Sequence, residues 1–121
     1  MGINFNDALG IHPDALKVRA DRTKVLAANI ANENTPGFQA RDIDFRTALR
    51  QTSAENPQGL LLDTGAEDPL YRVPFHPSRD GNTVEIGVEQ AAFSQNASDF
   101  QTSLAFLNMK LKGLAKAIAG Q

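Results

Sequence analysis

Asn29-Ile30-Ala31-Asn32-Glu33-Asn34-Thr35-Pro36-Gly37-Phe38 ends a long helical pattern and turns the chain back, and its reading decides the architecture. Asparagines near a helix C-terminus offer side-chain amides to the last unpaired carbonyls and tolerate left-handed backbone, so the helix is expected to stop near Asn32. Pro36 then holds Thr35 extended, Gly37 permits a positive φ, and Phe38 supplies an apolar anchor that folds back on the helix. Nothing in the stretch is chemically reactive. Read from the residues alone, it is a helix stop with a structural role.

Upstream of the turn, Leu9, Leu16, Thr23 and Ile30 recur every seven residues with Ala20 and Ala27 on the same side, while Ile11, Val18 and Val25 form a second row. At ~100° per residue the two rows lie nearly opposite each other. Such a helix is sandwiched rather than laid on one core, with one stripe for the last helix of its own chain and the other for a different subunit. Pro13 either begins the straight part of this helix at N1 or kinks it after His12.

Downstream, residues 38–86 form an irregular middle segment with at most short extended pieces around Leu70 to Val73 and Thr83 to Ile86. Asp44 can cap two helical turns over Phe45 to Arg50. Asn56-Pro57 and Thr64-Gly65 break the following polar stretch around its apolar cluster Leu60-Leu61-Leu62, and Asp80-Gly81-Asn82 reads as a tight turn. The last 35 residues, 87–121, hold the clearest periodicity: Phe93, Phe100, Leu107 and Leu114 in one row, Ala97, Leu104, Leu111 and Ile118 in another. Their alternating spacing of four and three is that of a coiled-coil seam. A helix over Gly87 to Ala119 would be ~50 Å long, too long for the rest of this chain to cover. Gly113 weakens it unless a neighbour approaches closely there. The expected fold is therefore all-α: a single domain in which two long terminal helices, within 1–37 and 87–121, form a coiled-coil-like hairpin.

Composition limits what such a domain can do. The 121 residues include 30 Leu, Ile, Val and Phe against 17 Ala, so the core is thin and the isolated chain marginally stable. A net charge of −2 excludes a general nucleic-acid binder, and the absence of cysteine excludes disulfides and thiolate metal sites. No secretory signal and no apolar run of membrane-spanning length is visible, so no direct membrane insertion is expected. Asp42 and Asp44 flank Ile43 but lack a positioned nucleophile or third group, and His12 and His76 have no metal-like spacing around them. No catalytic, metal or cofactor residues are assigned, and no enzyme activity is expected.

Ala28-Asn29-Ile30-Ala31-Asn32 followed by Thr35-Pro36-Gly37-Phe38 resembles the N-terminal motif of the bacterial flagellar axial proteins, which build the rod, hook and hook-filament junctions. Leu16 to Arg22, Arg41 to Phe45, Asp80 to Glu85 and Phe106-Leu107-Asn108 narrow the likeness to subunits of the proximal rod, and it runs from about Leu9 to Ile118. The resemblance implies a structural subunit that polymerises through its terminal helices into the hollow drive shaft transmitting torque. It implies export without a cleaved signal peptide to the periplasmic rod of the basal body. The partners implied are other flagellar rod proteins, the adapter protein at the rod base, the flagellar export gate and further copies of itself. Assembly surfaces are expected at Leu9, Leu16, Val18, Val25, Leu26, Asn29, Ile30 and Asn32 and at Phe93, Phe100, Leu104, Leu107, Leu111 and Leu114, with Thr35, Pro36, Gly37 and Phe38 as the supporting turn. The competing reading is a soluble helical adaptor or export chaperone that binds one partner helix through the same heptad.

Overall fold

Six elements follow one another along the chain: α1 (Phe5–Leu9), α2 (His12–Ala31), β1 (Arg41–Asp42), α3 (Phe45–Glu55), β2 (Leu70–Tyr71) and α4 (Ile86–Ala119). They are seen in a computed structural model that describes Gly2, residues 4–55 and residues 69–120. The breakers Asn56-Pro57 and Thr64-Gly65 and the cluster Leu60-Leu61-Leu62 lie outside the described residues.

Pro13 lies in the first turn of α2, where its missing N–H costs nothing, so it begins the helix rather than kinking it. The break from α1 comes just before, at Gly10 with φ +65°. α2 stops where the asparagine motif says it should. The Asn32 N–H bonds to the carbonyls of Ala28 and Asn29, and its side-chain Nδ2 donates to Ala28 O at 2.7 Å.

α2 and α4 pack antiparallel. His12 stacks on Phe106, Arg19 reaches Asp99, and Asn29 reaches Glu89, which fixes the register along the hairpin. α4 has 34 residues against the 20 of α2, a difference of roughly 20 Å at 1.5 Å per residue, and α1 covers only part of it.

The seam between them differs from the one expected of an apolar heptad. Phe93, Phe100, Leu107 and Leu114 are half-buried, but Leu104, Leu111 and Ile118 stand 40%, 42% and 68% exposed. Their place inside is taken by Glu89, Asn96 and Ser103, which alternate with the Phe93 row at the same spacings of four and three. On α2 the enclosed residues are Ala15, Val18, Leu26 and Asn29, a line that takes in Val18 of the second apolar row and none of the first. Leu16, Thr23 and Ile30 of the first row and Val25 of the second are half-buried. Because the fully buried apolar side chains among the described residues are only Ala15, Val18, Leu26, Ala40 and Ala48, the hydrophobic contribution is small. Polar contacts must hold the hairpin in register.

In the middle segment β1 pairs antiparallel with β2, Arg41 opposite Tyr71 and Asp42 opposite Leu70. Asp44 caps α3, accepting from the Arg46 N–H at 3.1 Å and the Thr47 hydroxyl at 2.8 Å, and the helix runs 11 residues, a turn longer than expected. Residues 83–85 are not a strand. Thr83 instead gives its N–H to Phe38 O and its hydroxyl accepts the Ala40 N–H.

Candidate assembly surface

The turn after α2 is held by a second turn 45 residues further on. Asn82, 6% exposed, points its Nδ2 at three carbonyl oxygens, Asn32 at 3.0 Å, Glu33 at 2.7 Å and Thr35 at 2.9 Å, while its Oδ1 accepts the Val84 N–H. An amide nitrogen has two hydrogens, so one of these bonds is shared. The Glu33 carbonyl finds its donor here, and those of Asn32 and Thr35, which already accept the N–H groups of Thr35 and Phe38, gain a second. Gly37 (φ +73°) and Gly81 (φ +76°) meet back to back: a Cβ on Gly81 would lie 3.7 Å from the Gly37 Cα. The Gly37 N–H closes the pair on Asp80 O.

A chain of buried polar groups continues from this staple into the hairpin. Asn29, 1% exposed, pairs with the Arg41 backbone in both directions, donating to its carbonyl at 2.6 Å and accepting its N–H at 3.1 Å, as a neighbouring strand would. Its Nδ2 also reaches Glu89 Oε2 at 2.9 Å. Asp42 receives Arg22 through both oxygens, at 2.8 and 3.0 Å, and Arg72 at 2.8 Å. The hydrogen bond to Asp42 raises the Arg22 pKa above its ordinary range against the opposing effect of burial. Arg72 Nε lies 3.1 Å from Glu89 Oε1, an ion-pair contact whose angle is poor for a hydrogen bond. Further along, Asn96 donates to Arg19 O at 3.0 Å and Thr23 Oγ1 at 2.8 Å. Arg19 in turn bonds Asp99 and lies 3.9 Å above the Phe45 ring, which ties α3 to the pair.

Of the residues expected to carry assembly, Val18, Leu26 and Asn29 are enclosed within their own hairpin. Leu9, Leu16, Val25, Ile30, Asn32, Phe93, Phe100, Leu107 and Leu114 are half-buried along its flanks. Leu104 and Leu111 are the members left open, continued by Ile118, with Phe106 and Met109 elsewhere on α4. Exposed apolar side chains in one row, on a helix that outruns its partner, are what a further helix can cover. Among the described residues no group of His, Cys, Asp or Glu could hold a metal ion, and no helix is long and apolar enough to cross a membrane.

Sequence reasoning missed Asn82, Glu89, Asn96, Arg22 and Arg72. For Glu89 and Asn96 a signal existed: with Ser103 they recur every seven residues and interleave with the Phe93 row as regularly as the apolar row does. Hydrophobicity favoured the other choice.

Comparison with known proteins agrees with the helix and turn geometry. The family described as "Flagella basal body rod protein" matches residues 9–39, which span α2 and the Thr-Pro-Gly turn. The chain is similar to the flagellar basal body rod protein FlgB of Aeromonas hydrophila, 44% identical with 100% of this chain and 99% of the relative covered. It is likewise 44% identical to FlgB of Cereibacter sphaeroides, over 97% of this chain and 98% of the relative. With FlgB of Salmonella typhimurium the identity is 40%, over 93% and 94%.

Proposed function

The chain belongs to the FlgB family of flagellar basal body rod proteins, and from that premise we infer that it is a non-enzymatic structural subunit of the proximal rod. It polymerises through its terminal helices into the hollow shaft that transmits torque. The observation that carries this reading is the open row Leu104, Leu111 and Ile118 beside a hairpin seam that is partly polar inside. In a monomer that used α4 only for its own core, the apolar row would face α2 and the polar row would face water. Here the arrangement is inverted, which leaves the apolar row to neighbouring subunits.

Those neighbours are further copies of the chain, other rod proteins, the adapter at the rod base and the export gate, reached by export without cleavage. The test is a charge in the open row. Leu104→Asp and Leu111→Asp alter side chains that are already partly hydrated in the monomer, so circular dichroism should be nearly unchanged. A buried, unpaired charge in an assembled rod costs several kcal/mol, so the expected phenotype is exported protein, no rod and no swimming. Normal swimming in both variants would remove the row from assembly. A soluble adaptor would instead be found bound to one partner helix inside the cell.

A further inference from the structure

A groove of about 640 Å³ lies where the last turns of α2 meet Gly37 to Gln39 and the strand pair. Val25, Ala28, Phe38 and Tyr71 line it together with the cations of Lys24 and Arg41, the latter bonded to the Tyr71 hydroxyl at 3.0 Å and lying 4.9 Å over its ring. Lys24 is well exposed, its side chain 80% accessible and only loosely paired to Asp21 at 3.4 Å. At the other end of the hairpin, α1 presents the reverse chemistry. Phe5 is 54% exposed, and Asp7, two residues on, accepts only from its neighbour Asn4 among the hydrogen bonds seen there. Gly10, in left-handed backbone, sets α1 off from α2 beside Lys110 of α4.

We propose that the groove receives α1 of a second copy of this chain, Phe5 entering between Phe38 and Tyr71 and Asp7 meeting Lys24 and Arg41. The inference rests on the rod-subunit reading above and specifies one of its contacts. The chain's own α1 cannot fill the groove, because the intervening length of α2 separates them by roughly 20 to 30 Å. An aromatic side chain with an acid beside it suits a lining that combines Val25, Ala28 and Phe38 with Lys24 and Arg41, whereas the lysine-bearing end of α4 (Lys110, Lys112, Lys116) would be repelled there. A contact between opposite ends of identical subunits is heterologous, and it propagates into an open array rather than closing as a dimer.

The chain has no cysteine, so Gly2→Cys and Gln39→Cys introduce its only thiols. A Cβ at Gly2 meets nothing within 4 Å, and Gln39 is an exposed lining residue of the groove. Basal bodies isolated from cells whose copies carry both thiols are treated with a short bismaleimide. The expected product is a ladder of dimers and higher species joined between positions 2 and 39 of different chains. Asp7→Lys on that background should cut the linkage roughly fivefold, and adding Lys24→Asp should restore it. Links only between like positions, links within one chain, or basal bodies that hold the chain but give no 2-to-39 product overturn the proposal while leaving the rod reading intact. Basal bodies that lack the wild-type chain altogether sink the rod reading instead. As a measurement free of thiols, swimming should fall in Asp7→Lys and in Lys24→Asp and recover in the double variant; a double variant worse than either single one also overturns the proposal.

Discussion

Three residues of the turn region show how much of this protein is decided by single backbone and amide positions. Gly37 holds φ +73° with open space where a Cβ would be, so the cost of any side chain there is conformational rather than steric contact. Gly37→Val should lower the stability of the chain by about 1–2 kcal/mol in urea titration while the helices keep their circular dichroism. Asn82 bonds three carbonyls at once, and Asn82→Ala takes the donor from Glu33 O, leaves Asn32 O and Thr35 O with one backbone N–H each, and unties the two turns. A loss of about 2–3 kcal/mol is expected, and Asn82→Asp should fare no better, because it sets an acceptor against acceptors. Asp44 has its pKa lowered below the ordinary 3.8, chiefly by the Thr47 hydroxyl, against the opposing effect of desolvation and with help from the N–H groups of Arg46 and Thr47. Because the folded value is the lower one, its capping of α3 is fully present above the ordinary value and is lost as pH falls through the folded one. An acid titration by circular dichroism should show α3 fraying in that window in the wild type, with no such step in Asp44→Asn.

At the scale of the element, α4 is a helix with two possible seams. Both use the Phe93, Phe100, Leu107 and Leu114 row; they differ in whether Glu89, Asn96 and Ser103 or Ala97, Leu104 and Leu111 complete it. The polar choice wins inside the chain because α2 and the strand pair supply its partners: Arg19 O and Thr23 for Asn96, Asn29 and Arg72 for Glu89. These bonds specify one register, as a buried asparagine does in a coiled coil. Asn96→Leu should therefore leave the melting temperature unchanged or higher but let the helices slip and associate, which sedimentation would show as a loss of the single monomeric species. Glu89→Ala has the opposite effect. It removes the carboxylate from the buried Asn29 amide and from Arg72 Nε, while Asp42 still holds the other end of the guanidinium, so about 1–3 kcal/mol of stability should go with it.

For the whole molecule, the chain is a hairpin whose longer arm extends past its partner and whose apolar row faces outward. Gly113 lies in that arm, and a Cβ there would meet nothing within 4 Å in the single chain. Gly113→Ala should accordingly stabilise the helix of the isolated protein by about 1 kcal/mol. If the glycine is there to let a neighbouring subunit approach, the same variant should swim less well despite its better helix. Helicity and swimming moving in opposite directions is the expected result; both rising together would take away that role.

The helix stop at Asn32, the positive φ of Gly37, the cap at Asp44, the turn at Asp80 to Asn82 and the extent of α4 were all determined by the sequence itself. Each depends on local chemistry: which backbone groups lack a partner, which residues tolerate left-handed backbone, and where the period of seven begins. The family motif belongs to the same class, because it is a stretch of contiguous residues. What only the tertiary structure decided is which faces of the helices meet. Periodicity reports that Leu104 and Leu111 share a stripe with Phe100 and Leu107, but it cannot say that water or another subunit, rather than α2, lies beyond them. Glu89 and Asn96 look like solvent-facing residues until Asn29, Thr23, Arg19 and Arg72 arrive from as far as 77 positions away to satisfy them. A polar side chain is buried or exposed according to whether its hydrogen-bond partners are present, and those partners are assembled only when the chain has folded.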